Sequence, residues 1–393
     1  MNEIKMLDFS QEYLSLYEEI NTTLDEVLNS GRYIKGDQVD ILEAELYSYM
    51  DNTFALTCGN GTDALQIALM ALDLKKGDEV ITTPFTFVST VEVIMLLKLK
   101  PVFVDINPFD YTIDVTKIER AITERTKVIL PVHLFGACSN MTAIDNIAKR
   151  NNLFVIEDAC QAMGTVYNKF YRWNESKKAG TIGNIGCTSF FPTKNLGCYG
   201  DGGAIFTKDN ALYEKMAMIA NHGSKNKYYY DMVGVNSRLD ELQAAILNVK
   251  LRYLDKIINL KQKVAEIYYN ELSDIQFQGE KLKHATYEIP NEQKIVLPVI
   301  SDRYKHTYHQ FTIRLKKRDD LKTFLSLNGI QSMIYYPVPL HLQKAYKSLG
   351  YKEGDFPVSE QVSQEVLSLP VHPFLTEDQV IYITATIKKF LET

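Results

Sequence analysis

Apolar and β-branched runs recur along the first half of the chain, at 54–57, 79–82, 101–104, 127–132 and 153–156. The segments between them have helical length. That alternation predicts strand–helix crossovers, and crossovers build a mainly parallel sheet. Two shorter runs, at 186–190 and 203–207, bring the expected sheet to seven strands. Ahead of the first strand, Val39, Leu42, Leu46 and Tyr49 recur at helical spacing after a turn at Arg32 to Gly36. Residues 1–30 predict a helical arm. Asn236-Ser237 precedes Leu-Asp-Glu-Leu-Gln-Ala-Ala-Ile, a helix start expected to run on beyond residue 250. The pattern then changes, with strands predicted at 294–300 and 308–315 and helices at 317–328, 358–367 and 376–391. The expected organisation is an arm (1–30), a large α/β domain (31–250) and a smaller C-terminal α+β domain (251–393). With no Pro/Gly/Ser-rich linker, a continuous helix is expected to join the last two.

Composition narrows the partners. Of 393 residues, 46% are hydrophobic and 23% charged, enough for two well-buried cores. A net charge of −6 argues against nucleic acid or an anionic membrane as the main partner. No apolar run reaches the roughly 18 residues of a membrane span, and the N-terminus has no apolar core of signal-peptide length. Cys58, Cys138, Cys160, Cys187 and Cys198 make an odd set without a Cys-x-x-Cys pair. That suits free thiols in a reducing compartment, and the chain reads as cytoplasmic. The seven histidines and five cysteines show no metal-ligand spacing, so no metal is expected.

Candidate chemistry centres on Lys194, in Ser189-Phe-Phe-Pro-Thr-Lys194-Asn-Leu-Gly197, and on Asp158, at the end of the run Leu153-Phe-Val-Ile-Glu157. Ligands of open α/β sheets bind at the carboxyl ends of strands. A lysine near a strand-end carboxylate is what pyridoxal phosphate requires: an amine for the Schiff base, and an anion to keep the pyridine nitrogen protonated. Alone, Asp158 could be a capping residue and Lys194 a solvated loop lysine. The few charges around Lys194 favour partial burial, which lowers its pKa and suits it to imine formation and proton transfer. Gln161 could donate to the ring hydroxyl, or be a plain turn glutamine.

Cys58-Gly-Asn-Gly61-Thr62-Asp63 joins a strand to a helix. Its glycines and free N–H groups suit a phosphate, although Thr62 or Asp63 could simply cap the helix. Ser189 could add a hydroxyl. Phe87 could stack on a pyridine face or belong to the core. Asn236 could reach a phosphate or cap its helix, and Arg238 could grip a carboxylate bidentately or be merely exposed. Tyr308-His309-Gln-Phe and Tyr335-Tyr-Pro-Val-Pro-Leu-His341 are rich in polar aromatics and could line a substrate cleft. Taken singly, His309 and His341 read as structural.

Together these residues resemble the DegT/DnrJ/EryC1/StrS family of sugar aminotransferases, of fold type I. The likeness runs through Gly-Asn-Gly61-Thr62-Asp-Ala-Leu, Gly77-Asp-Glu-Val-Ile, Pro101-Val-Phe-Val-Asp105, Pro131-Val-His133-Leu-Phe-Gly136, Glu157-Asp158-Ala-Cys-Gln161, Ser189 to Gly203, and Gly234-Val-Asn236-Ser-Arg238-Leu. The resemblance implies that Lys194 carries the cofactor, Asp158 pairs with the pyridine nitrogen and Gln161 meets the ring hydroxyl. Gly61, Thr62 and Ser189 would hold the phosphate. Asn236 would reach it from a neighbouring subunit, making the active unit a homodimer with shared sites. Lysine at 194, where dehydratases of the family carry histidine, implies amino transfer, with L-glutamate as donor. Phe-Thr-Phe-Val-Ser-Thr-Val-Glu92 and Gly-Val-Asn-Ser-Arg-Leu-Asp-Glu-Leu-Gln243 look most like enzymes that aminate C3 of UDP-2-acetamido-2-deoxy-3-oxo-glucuronate. Those enzymes serve surface polysaccharides such as lipopolysaccharide O-antigen. The alternative is a 3- or 4-keto-6-deoxy sugar linked to dTDP or UDP. Residues 167–178 look longer than the family's usual turn at that place.

Overall fold

The computed structural model describes residues 3–170, 175–276, 289 and 294–392. Two helices, α1 (Phe9–Ser15) and α2 (Tyr17–Ser30), come first, and Ile20 on α2 buries against Ile246 and Val249 further along. Helix α3 (Asp37–Tyr49) follows. Its first-turn N–H groups need an acceptor, and the Glu241 carboxylate supplies one, accepting from Gly36 N at 2.6 Å, Gln38 N at 2.9 Å and Val39 N at 3.2 Å.

The alternating region folds as β1 (Phe54–Cys58), α4 (Gly61–Met70), β2 (Glu79–Thr82), α5 (Ser89–Leu96), β3 (Lys100–Phe103), β4 (Thr126–Ile129), α6 (Met141–Asn151) and β5 (Phe154–Asp158). A hairpin, β6 (Val166–Phe170) and β7 (Glu175–Lys178), intervenes before β8 (Ile185–Ser189) and β9 (Gly203–Thr207). The central sheet has the seven expected strands in the order β1-β9-β8-β5-β4-β2-β3. β9 runs antiparallel to both neighbours and the other pairs are parallel. β2, β8 and β9 are buried on both faces, as a sheet covered by crossover helices requires. This is the α/β, fold type I architecture. β5 lies mid-sheet, so Asp158 emerges between the ends of β4 and β8.

Helix α7 (Asn210–Ala220) covers the sheet, and α8 (Glu241–Leu251) and α9 (Leu254–Glu271) follow. These two correct the expectation of one continuous helix: α8 ends at Leu251, and Arg252 and Tyr253 separate it from α9. The chain then forms β10 (Tyr304–Lys305), β11 (Phe311–Arg314), α10 (Arg318–Leu327), α11 (Pro357–Glu365), β12 (Val366–Leu369) and α12 (Glu377–Leu391). β11 and β12 pair antiparallel, and Tyr268 stacks on Phe311 at 4.6 Å within their core. Residues 366–367, expected at the end of a helix, open β12 instead. Residues 294–300 contribute only the isolated bridges at Ile295 and Val296 rather than a strand. The long 167–178 stretch lies in the β6–β7 hairpin, which β10 extends to three strands; residues 171–174 fall outside the described set.

Candidate active site

Backbone bonds fix the start of the site. Asp158 N donates to Pro131 O, and His133 N donates to Asp158 O, both at 2.9 Å. The Asp158 carboxylate is 5% exposed. It accepts from Thr90 Oγ1 at 2.8 Å and from Cys160 N at 3.3 Å. Thr90 is held in turn by Thr86 at 3.2 Å. Beneath Asp158, the buried Glu157 side chain meets His133 Nε2 at 2.8 Å and accepts from Gly180 N, Ile182 N and Gly183 N. Burial opposes a charge on His133, but contact with Cys138 and Glu157 outweighs it and pushes the imidazole up to about 10.

Lys194 sits in the turn after β8, its N–H donating to Phe191 O at 2.9 Å. Burial pulls its amine below the ordinary lysine range, and the neighbouring Cys160 and Asp158 only partly oppose that. The structure thus brings Lys194 and Asp158 into one electrostatic neighbourhood, with Cys160 between them. Gln161 is bound at both ends of its amide: Oε1 accepts from Phe135 N at 2.9 Å and Nε2 donates to Tyr336 OH at 3.0 Å. One amide hydrogen is left for a ligand.

Gly61 opens α4, behind Asn60, whose side chain accepts from Asp63 N at 2.8 Å. The cap is therefore Asn60, not Thr62 or Asp63. A Cβ at Gly61 would lie 2.7 Å from Ser189 Cβ and 3.1 Å from Cys160 Sγ. Only glycine keeps the helix N-terminus this close to Ser189. Thr62 Oγ1 and Ser89 Oγ share a 2.7 Å hydrogen bond. Phe87 is 54% exposed, with its ring 6.2 Å from that of Tyr336.

Ser237 ties the segment carrying Asn236 and Arg238 to this corner, accepting from Gly59 N at 2.9 Å and donating to Asp63 Oδ2 at 2.6 Å. Asn236 is exposed and Arg238 half-buried. His309 is buried with no partner for Nδ1, and burial, Lys194, Lys261 and His306 all hold it neutral. His341 Nε2 meets Glu360 at 2.9 Å and its ring packs on Phe356. Thr90, Phe135, His133 and Glu157 fall within the quoted motifs, but the sequence assigned none of them a role. Among the described residues, no group of three or more His, Cys, Asp or Glu side chains could hold a metal ion, and no helix is long and apolar enough to cross a membrane.

Comparison with known proteins places this geometry. The model of the DegT/DnrJ/EryC1/StrS aminotransferase family matches residues 15–388. The chain belongs to that family. It is 47% identical over 387 residues to a pleiotropic regulatory protein of Geobacillus stearothermophilus, covering 98% of each chain. It is 39% identical over 384 residues to the UDP-2-acetamido-2-deoxy-3-oxo-D-glucuronate aminotransferase of Pseudomonas aeruginosa, covering 98% of this chain and 99% of that one. Among solved structures, DesV of S. venezuelae superposes with a TM-score of 0.91 at 35% identity, over the whole of both chains. The chain is an aminotransferase, and the family's aminotransferases depend on pyridoxal phosphate. A further relative, NtdA of Bacillus subtilis, has been solved with the cofactor PMP bound (TM-score 0.84, 32% identity, 99% of this chain and 86% of that one).

The residues present fit that cofactor. Gly61 lets the N-terminus of α4 pack directly against Ser189, and free N–H groups beside a serine favour a phosphate. Asp158 is a buried strand-end carboxylate, and Lys194 is half-buried and close enough to feel its charge.

Proposed function

We propose that this chain transfers the amino group of L-glutamate to a nucleotide-linked keto sugar. The substrate we assign is UDP-2-acetamido-2-deoxy-3-oxo-glucuronate, aminated at C3 for surface polysaccharide such as lipopolysaccharide O-antigen. The convergence of Lys194 and Asp158 beside the close approach of Gly61 to Ser189 carries the reaction class. The likeness to the Pseudomonas enzyme over the full length supports the sugar. A second reading, a dTDP-linked 6-deoxy sugar, is favoured by 38% identity over 387 residues to the dTDP-3-amino-3,6-dideoxy-alpha-D-galactopyranose transaminase of Aneurinibacillus thermoaerophilus, covering 98% of this chain and 99% of that one.

Pyridoxal phosphate, when bound, supplies a ring that stores the electron pair left as a proton departs from the donor's Cα. Gly61, Thr62 and Ser189 would hold its phosphate, with Asn236 of a second copy. Asp158, buried at the end of β5, would pair with the ring nitrogen. Gln161 orients the ring hydroxyl through its remaining amide hydrogen. Lys194 Nζ, whose hold on a proton burial weakens, would take a proton from the donor's Cα and, in the second half-reaction, give one to the sugar carbon that receives the nitrogen. Arg238 binds the carboxylate of glutamate and then that of the uronate, because both occupy one site in turn. Five free thiols suit the reducing cytoplasm, where we place the enzyme.

The test is a panel of UDP- and dTDP-linked keto sugars with ¹⁵N-glutamate. Nitrogen should appear on the UDP-3-keto uronate, and exclusive labelling of a dTDP sugar would favour the second reading. In the same panel, Arg238→Ala should lower kcat/KM for both half-reactions by about tenfold or more, the effect of a lost charged hydrogen bond of roughly 1.5–3 kcal/mol. A change within twofold in both would remove Arg238 from that role.

The homodimer rests on a patch of exposed apolar and aromatic residues close to Asn236 in sequence: Tyr228, Tyr229, Tyr230 and Val233 are 64–85% exposed. Patches of this kind mark interaction sites. Sedimentation equilibrium at micromolar protein should give twice the chain mass, and a monomer at that concentration would refute the shared site.

A further inference from the structure

The buried residues of α9 are Leu254, Ile258, Lys261, Val264, Ala265 and Tyr268. Lys261 therefore occupies a core position on an amphipathic helix, and it is 3% exposed. A methionine would fill that volume without the penalty of burying an amine. The amine has a specific partner: Nζ donates to Asn195 Oδ1 at 2.9 Å. Asn195 follows Lys194 directly, is itself buried, and donates through Nδ2 to Met163 O at 3.4 Å. Lys194 and Lys261 line one pocket with Pro192 and with His372, whose Nδ1 has no hydrogen-bond partner.

We propose that Lys261 is a positioning residue of the transamination: through Asn195 it holds the turn that presents Lys194. The proposal rests on the reading of Lys194 as the amine that carries the cofactor. The groups that face Lys261 come from every element packed around it. Glu12 comes from α1, but its carboxylate is committed to Lys250 at 2.8 Å. Lys194 comes from the turn after β8, and His306 and His309 from the segment before β11. His372 and Asp8 stand across the cavity. Burial pulls Lys261 down to about 7, with Glu12 opposing. Burial also lowers His306 to about 3 and His309 well below the ordinary range, and Lys261 adds to both effects. His309 is kept neutral chiefly by burial, and its Nδ1 has no partner among the described residues.

The sign of the linkage is fixed. Between about 7 and the ordinary lysine value of 10.5 the unfolded chain holds a proton on Lys261 that the folded chain lacks. Stability from this group therefore rises with pH across that window.

The experiment uses apoprotein and pyridoxal phosphate, following uptake by visible absorbance against pH, with melting of the same apoproteins alongside. Wild type should show a transition in uptake near pH 7. Lys261→Arg, permanently charged, should bind the cofactor as tightly as wild type but lack that transition. Lys261→Met should lack it too and retain the cofactor about tenfold less tightly, the fold-change of one charge-assisted hydrogen bond. Asn195→Ala should weaken retention while keeping the transition. The melting temperature of apo Lys261→Met, relative to wild type, should fall as pH rises above 7. An unchanged uptake profile in both Lys261 variants would overturn the proposal and leave the function standing. A wild-type apoprotein that takes up no pyridoxal phosphate would overturn that function, and this proposal with it.

Discussion

Lys194→Ala should fold normally and transfer no measurable nitrogen from glutamate. Removing a positioned proton acceptor alone lowers a rate by about 10²–10⁴-fold, and this variant also loses the amine that anchors the cofactor. The loss should not come from instability. Burial depresses the Lys194 amine below its ordinary range. A lysine depressed in the folded state weakens folding at any pH where the unfolded chain is the more protonated. The alanine variant should therefore melt no lower than wild type at neutral pH. Single-turnover absorbance with glutamate, circular-dichroism melting and added methylamine make the check. A folded variant with no turnover, partly restored by the exogenous amine, is the expected result. Turnover within tenfold of wild type would remove Lys194 from the chemistry.

The sheet was legible because its strands are short apolar runs set between segments of helical length. Val80, Ile81, Val128 and Ile129 are buried on both faces, so composition alone marks them. The hairpin β6–β7 was not, because Glu175-Ser-Lys-Lys178 is polar and largely exposed, and a strand with no buried face leaves no alternation. The break between α8 and α9 carries no Gly or Pro; Arg252 and Tyr253 are ordinary helix residues, and packing sets the break. Asp158 and Lys194 stood out because each follows a strand with few charges near it. Their supports did not. Thr90 lies 68 residues from Asp158, and Tyr336 lies 175 from Gln161, so no spacing links them. Lys261 left a trace that could have been read: it falls in the apolar register of α9, three residues after Ile258 and four before Ala265.

Glu157→Ala should be the most destabilising single substitution near the site, although Glu157 touches neither proposed substrate. Its carboxylate is fully buried, accepts three backbone N–H groups from residues 180–183 and pairs with buried His133. Removing one partner of such a pair costs about 3–5 kcal/mol, because the other charge stays buried without compensation. The unpaired N–H groups around Gly180 add to that. Against burial, Cys138 and then Glu157 raise His133 from 6.5 to about 10. A raised histidine contributes stability that is complete below the unfolded value and is lost as pH climbs through the folded one. The gap in melting temperature between wild type and Glu157→Ala should therefore be widest below about pH 6.5 and narrow toward pH 10. It should not close, since the backbone N–H groups do not titrate. Denaturant unfolding at several pH values reads this directly. A gap that is constant with pH would show that His133 is neutral in the folded protein and that Glu157 serves only the backbone of the turn before β8. With His133 charged, the pair instead locks the strand ends on either side of Asp158, and the variant should also release pyridoxal phosphate faster than wild type.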